Sequence, residues 1–158
     1  MAILRRARSA NFTRPADTTA YASGDLVANS TTVGSVVPMT FARVTKGGGQ
    51  SAQIRRVGIT KTGTSITNTT VRVHLFSVLP TLSTNGDNGA ITIATGAAGY
   101  LGQVDVVINQ AFTDGAAGWL TTEINTNALT VYGLLEARGA WTPASAEVIT
   151  VILESAAD

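Results

Sequence analysis

The chain has no cysteine and one histidine, His74. Without cysteine there are no disulfides and no thiolate chemistry, and the redox compartment goes unrecorded. One histidine beside no cysteine leaves too few soft ligands for a zinc site. Charge is scarce as well. Asp, Glu, Lys and Arg make up 13% of the 158 residues, against roughly 25% in ordinary soluble domains. No run approaches the ~18 consecutive apolar residues of a membrane helix, so no membrane partner is expected. No stretch sustains a 3.6-residue period, which excludes amphipathic helices as the main element.

What remains is rich in Thr, Val, Ala and Gly. β-branched side chains suit a pleated surface. The stretch Gln53–Leu79 organises the reading. Val71, Val73, Leu75 and Leu79 share one parity, with Arg72 and His74 on the other. Val57 and Ile59 alternate with Arg56 and Thr60. This is the period-2 mark of half-buried strands. The polar connection Lys61–Thr70 predicts that the two runs are long antiparallel partners at the centre of a β-sandwich.

Further strands are expected at Leu26–Ala28, Met39–Val44, Gln103–Asn109, Leu120–Ile124, Thr130–Ala137 and Val148–Glu154. Val148–Leu153 is almost continuously apolar, as in a strand buried on both faces or covered by another subunit. Thr113–Trp119 reads as at most one helical turn. Lys46–Ser51 is a flexible link, and Leu79–Tyr100 a long irregular loop of the kind that often carries function. The pattern predicts an all-β chain: an antiparallel, jelly-roll-like β-sandwich of about eight strands. Residues 12–158 form its single domain, preceded by a basic arm over residues 1–11.

That arm carries Arg5, Arg6 and Arg8 with no acid before Asp17. It is expected to be solvated in the isolated protein and ordered only against a partner surface, because it has too few apolar residues to fold alone. It lacks the apolar core of a secretory signal. The sequons at Asn11, Asn29 and Asn68 therefore mark only Thr-rich loops. Net charge is +1, and no nucleic-acid partner is expected.

Candidate chemistry is thin. His74 lies mid-strand with no acid nearby in sequence, so it reads as a sheet-surface or interface residue rather than a general base. Asn85–Gly89 lacks the alternating acids and distal Glu of a calcium loop and reads as a turn. Gly47–Gly49 opens no helix, and Gly96, Gly99 and Gly102 do not have dinucleotide spacing. Asp105, Glu123, Glu136, Glu147 and Glu154 are scattered, with no evident facing pair for glycoside hydrolysis. No cofactor, metal or catalytic residue is expected. Trp119 and Trp141, each read as lying in a loop beside a strand, can serve as interface or sugar-stacking anchors. With Arg5, Arg6 and Arg8 they form the candidate partner-binding set. The scarcity of charge favours a surface partly covered by other chains, and a dimer or trimer is expected.

The segment Phe12–Ala28, FTRPADTTAYASGDLVA, resembles the opening of a group of small virion proteins of tailed bacteriophages, through Arg14, Pro15, Ala16, Asp17, Tyr21, Gly24 and Asp25. The match covers little more than a tenth of the chain. The resemblance implies a capsid cement or decoration protein, a non-enzymatic oligomer on the lattice of the major capsid protein at the virion surface. It brings no active-site residues. The alternative is a carbohydrate- or receptor-binding module of a tail or head fibre, using Trp119, Trp141 and the long loop. A hydrolase on a jelly-roll scaffold is the third class.

Overall fold

The computed structural model describes residues 4–64 and 69–157. The Asn68 sequon and the middle of the Lys61–Thr70 connection lie outside them. In chain order the strands are β1 (Leu4–Thr13), β2 (Leu26–Val27), β3 (Met39–Ala42), β4 (Ala52–Lys61), β5 (Thr69–Phe76) and β6 (Thr81–Leu82). They continue as β7 (Ile93–Thr95), β8 (Tyr100–Ile108), β9 (Gln110–Phe112), β10 (Gly115–Thr126), β11 (Thr130–Ala137) and β12 (Val148–Ala157). Short 3-10 turns occupy Val33–Ser35 and Ala97–Gly99. Eight strands have four residues or more. The chain is an antiparallel, jelly-roll-like β-sandwich.

Sheet I has the order β1-β12-β4-β10-β9, and sheet II the order β2-β11-β5-β8. β3 pairs with β11 beside β2, and β6 and β7 form a small hairpin of their own. The two long runs of the central stretch are therefore not partners. β4 lies between β12 and β10 in sheet I, and β5 between β11 and β8 in sheet II. Alternation records that a strand buries one face; it does not record which strand lies beside it. Both runs do bury the predicted parity. Ile54, Val57 and Ile59 face Val71, Val73 and Leu75 within one core that also holds Phe41, Val104, Val131 and Leu153. Leu79 is exposed, because β5 ends at Phe76. Phe76 instead packs with Leu26, Ala28 and Leu134 in a second, smaller core.

Three further expectations are corrected. Thr113–Trp119 is not helical: Thr113-Asp114 turns β9 into β10, and Gly115–Trp119 is strand. Small residues occur there because β10 runs close to β8. A Cβ at Gly118 would sit 2.0 Å from the Val107 carbonyl oxygen. Val148–Leu153 alternates between buried and half-buried residues, with its inner face in the core and its edges paired to β1 and β4. Finally, residues 4–11 are not an arm. They belong to β1, which pairs residue for residue with β12 from Leu4↔Ala157 to Thr13↔Val148. Ladder hydrogen bonds, together with Ala10 and Phe12 packed against the core, supply what the segment lacks on its own.

The linker after β1 is fixed by a buried polar network. Arg14 Nη2 donates to Asp87 Oδ2 at 2.9 Å, and both side chains are fully buried. The Tyr21 hydroxyl and the Ala28 amide both donate to Asp87 Oδ1 at 2.7 Å, and Arg14 Nε donates to the Tyr21 hydroxyl. Burial, then the Asp87 charge, push the Tyr21 phenol well above its ordinary range, so it stays a neutral donor. The Tyr21 ring stacks on Trp141 at 4.6 Å between centroids. Gly24, at φ +98°, turns the chain so that its amide donates to the Ala137 carbonyl.

Replacing Arg14 by Ala would remove the cationic partner of the buried Asp87. Breaking a buried pair from one side costs roughly 3–5 kcal/mol. The melting temperature of R14A is therefore expected to fall by roughly 6–20 °C in thermal unfolding. Deleting Met1–Ala10, which removes most of β1 and bares the β12 edge, is also expected to lower it. An unchanged melting temperature in the truncated chain would contradict the β1–β12 pairing.

Candidate partner-binding face

The outer face of sheet I is built from two cross-strand rows. One aligns Ala7, Glu154, Arg56 and Thr121; the other aligns Arg5, Ala156, Gln53 and Asn125. Between the rows the ladder slips. Arg55 is an extra residue on β4, opposite the extra pair Thr122 and Glu123 on β10. A bulge bends a sheet and re-aims side chains. Here it produces a concavity of about 840 Å³. Small residues, among them Ala7, Ser155 and Ala156, line it together with Arg5, Arg55, Arg56, Glu123 and Glu154. The sequence does carry a signal for this site: Ile54-Arg55-Arg56-Val57 puts two polar residues where strict alternation allows one.

Beside the concavity, Trp119 pairs with Gly58 across β10 and β4. A Cβ at position 58 would lie 2.3 Å from the indole ring, so the missing side chain makes room for the aromatic. The Arg56 guanidinium lies 4.1 Å from the ring centroid and 3.4 Å from Glu154 Oε1. Both partners of that ion pair are about two-fifths exposed, and a pair so wet contributes little.

The predicted binding residues separate. Arg5 faces outward into the concavity. Arg6 and Arg8, on the opposite parity, donate to the Arg43 carbonyl and close the edge between β1 and β3. Trp119 is a strand residue, 38% exposed. Trp141 is bridged to Tyr21 and is 3% exposed, so it is a packing residue. The structure thus brings Arg5 near Arg55 and Arg56, which sequence reasoning did not single out.

The outer face of sheet II is charged too, but its charges satisfy one another. Arg72 donates Nε to Asp105 Oδ1 at 2.7 Å and Nη2 to Oδ2 at 2.9 Å. His74 Nε2 lies 2.7 Å from Glu136 Oε2, and its Nδ1 lies 3.1 Å from the Tyr100 hydroxyl. Arg138 donates to Glu136 Oε1 at 2.7 Å. Sequence showed no acid near His74; cross-strand pairing supplies one from 62 residues away. Both ring nitrogens are thus held within the polar network of this face, one by a carboxylate and one by a hydroxyl. The Arg72 hydrogen bond holds the Asp105 carboxyl below its usual range, against partial burial. Burial opposes ionisation of Glu136, but hydrogen bonds from His74 and Arg138 outweigh it and lower that carboxyl as well.

Asp87, in the loop read as a turn rather than a calcium site, is held by Arg14 and Tyr21. Among the described residues, no three His, Asp or Glu side chains converge as metal ligands.

No family model and no curated protein matches the chain. Among solved structures it is similar to the infectious bursal disease virus VP2 subviral particle, at 12% identity and a TM-score of 0.32. That match covers 96% of this chain and 32% of the other, so the chain spans about a third of that protein's length. It is also similar to a chain of the cyanophage Pam1 capsid asymmetric unit, at 10% identity and TM-score 0.35, covering 98% and 85%. A third likeness is to the cellulose-specific carbohydrate-binding module CBM28, at 11% identity and TM-score 0.34, covering 72% and 62%. What this chain does has to be read from its own surface.

Lowered carboxyls stabilise the fold in their ionised form. That contribution is complete above the ordinary carboxylate range, near pH 4, and is lost as pH falls through the lowered values. The melting temperature is therefore expected to drop below about pH 4. D105N should flatten that drop when thermal unfolding is followed across pH 2–6.

Proposed function

We propose that this chain is a non-enzymatic structural protein of a phage virion, a cement or decoration protein that binds the major capsid protein lattice and stabilises the head. One observation carries this reading. The two outer faces differ: sheet II neutralises its own charges, whereas sheet I carries a concave site with guanidinium groups left open. A face of that kind serves binding.

The bacteriophage resemblance supports the same reading in a specific way. Arg14, Tyr21, Gly24 and Asp25 act in the fold: the first two bind Asp87, Gly24 turns the chain, and Asp25 accepts from the Ala22 amide. The shared residues therefore carry architecture rather than chemistry. A protein that binds only the assembled shell stabilises it by mass action. The low overall charge supports assembly as a dimer or trimer on that lattice. The fibre-module alternative loses Trp141 to the interior and keeps a single partly exposed indole.

Capsids stripped of this protein provide the test. Added protein is expected to sediment with them, to raise their thermal disruption temperature, and to label the head uniformly in electron micrographs. Labelling confined to the tail tip would replace this reading with the receptor-binding one.

A further inference from the structure

We infer that the bulged concavity of sheet I is a receptor for an extended, carboxylate-bearing segment of a partner protein, held chiefly by Arg5 and Arg55. The inference deepens the function proposed above and rests on its partner-binding reading.

The charge arrangement identifies the ligand class. Four arginines, Arg5, Arg6, Arg55 and Arg56, line the site against two glutamates, Glu123 and Glu154, in a chain whose net charge is only +1. Arg56 is engaged by Glu154 and Trp119, and Arg6 donates to the Arg43 carbonyl. Arg5 and Arg55 are exposed and have no carboxylate partner among the described residues. Each offers a planar fork suited to bidentate binding of a carboxylate. Glu123 and Glu154 argue against a phosphate backbone, whose unbroken row of negative charge would run against them. A peptide can place an acid at each open arginine and a hydroxyl or a base at each glutamate.

The geometry sets the length. From β1 to β10 the site crosses three inter-strand spacings of ~4.8 Å, roughly 14 Å in all. Four or five residues of extended chain at ~3.3 Å each cover that span. Arg5 and Arg55 stand two strands apart, about 10 Å, so they match acids two or three residues apart. The floor, containing Ala7 and Ala156, leaves room for the peptide backbone.

The test uses the isolated full chain and an acetylated, amidated hexapeptide of alternating glutamate and threonine, followed by amide NMR at low salt. Saturable shifts are expected at Ala7, Arg55 and Thr121–Glu123. R55E should weaken binding about tenfold or more, with R55Q intermediate. K46E, an equal charge change on an exposed loop, should have little effect. Shifts centred on sheet II, or equal weakening by K46E and R55E, would overturn the assignment. So would a thymidine decanucleotide that binds the same residues as tightly, which would make the site a general polyanion patch. Stripped capsids separate the two proposals. Peptide binding without capsid binding keeps the receptor and sinks the capsid reading. Capsid binding unchanged by R55E does the reverse.

Discussion

The fold depends on one buried charge pair. Arg14 directly follows β1, and Asp87 lies buried in the loop between β6 and β7. Their contact joins segments 73 residues apart. Around it, Tyr21, the Ala28 amide and the Trp141 ring close a polar knot at the margin of the core. Taking two charges out of water is costly unless every lone pair and proton finds a partner. Here Asp87 accepts from three groups, and Arg14 is shared between Asp87 and Tyr21. The knot brings the end of sheet I against the start of sheet II. It therefore holds the long linker Arg14–Asp25 in place without regular structure. A second buried pair, Lys61 Nζ to Glu147 Oε1 at 2.8 Å, lies nearby, since the Arg14 amide donates to the Glu147 carbonyl.

The two outer faces follow from different uses of the same scarce charges. On sheet II, straight strands put Arg72 opposite Asp105, and cross-strand pairing brings His74 to Glu136. Each charge meets its complement within the sheet. On sheet I, the slip between Arg56 and Ile54 breaks that matching and turns an additional arginine outward.

Much of the architecture was legible in the sequence. Period-2 runs located β4 and β5, the other apolar runs located β8, β11 and β12, and the parity of Val71, Val73 and Leu75 chose the buried face correctly. Pairing was not legible: alternation in β4 and β5 is the same whether the strands lie side by side or face each other across a core. β1 was missed because Leu4–Thr13 carries three arginines and draws its stability from the β12 edge, which local composition does not reveal. Trp141 was misjudged for a related reason: it lies in a loop-like stretch whose partner, Tyr21, is far away in sequence. The site itself left one local trace, the doubled arginine in Ile54-Arg55-Arg56-Val57, which violates the alternation around it.

The central claim is that sheet I, at its bulge, is the face that meets a partner on the virion. Cryo-electron microscopy of particles carrying the protein, at a resolution that shows side chains, tests it directly. The account predicts a capsid segment lying across β1, β12, β4 and β10, with acidic side chains at Arg5 and Arg55 and the outer face of sheet II in solvent. A reconstruction with the sheet I concavity open to solvent, and attachment through sheet II or the loop Leu79–Tyr100, would contradict it.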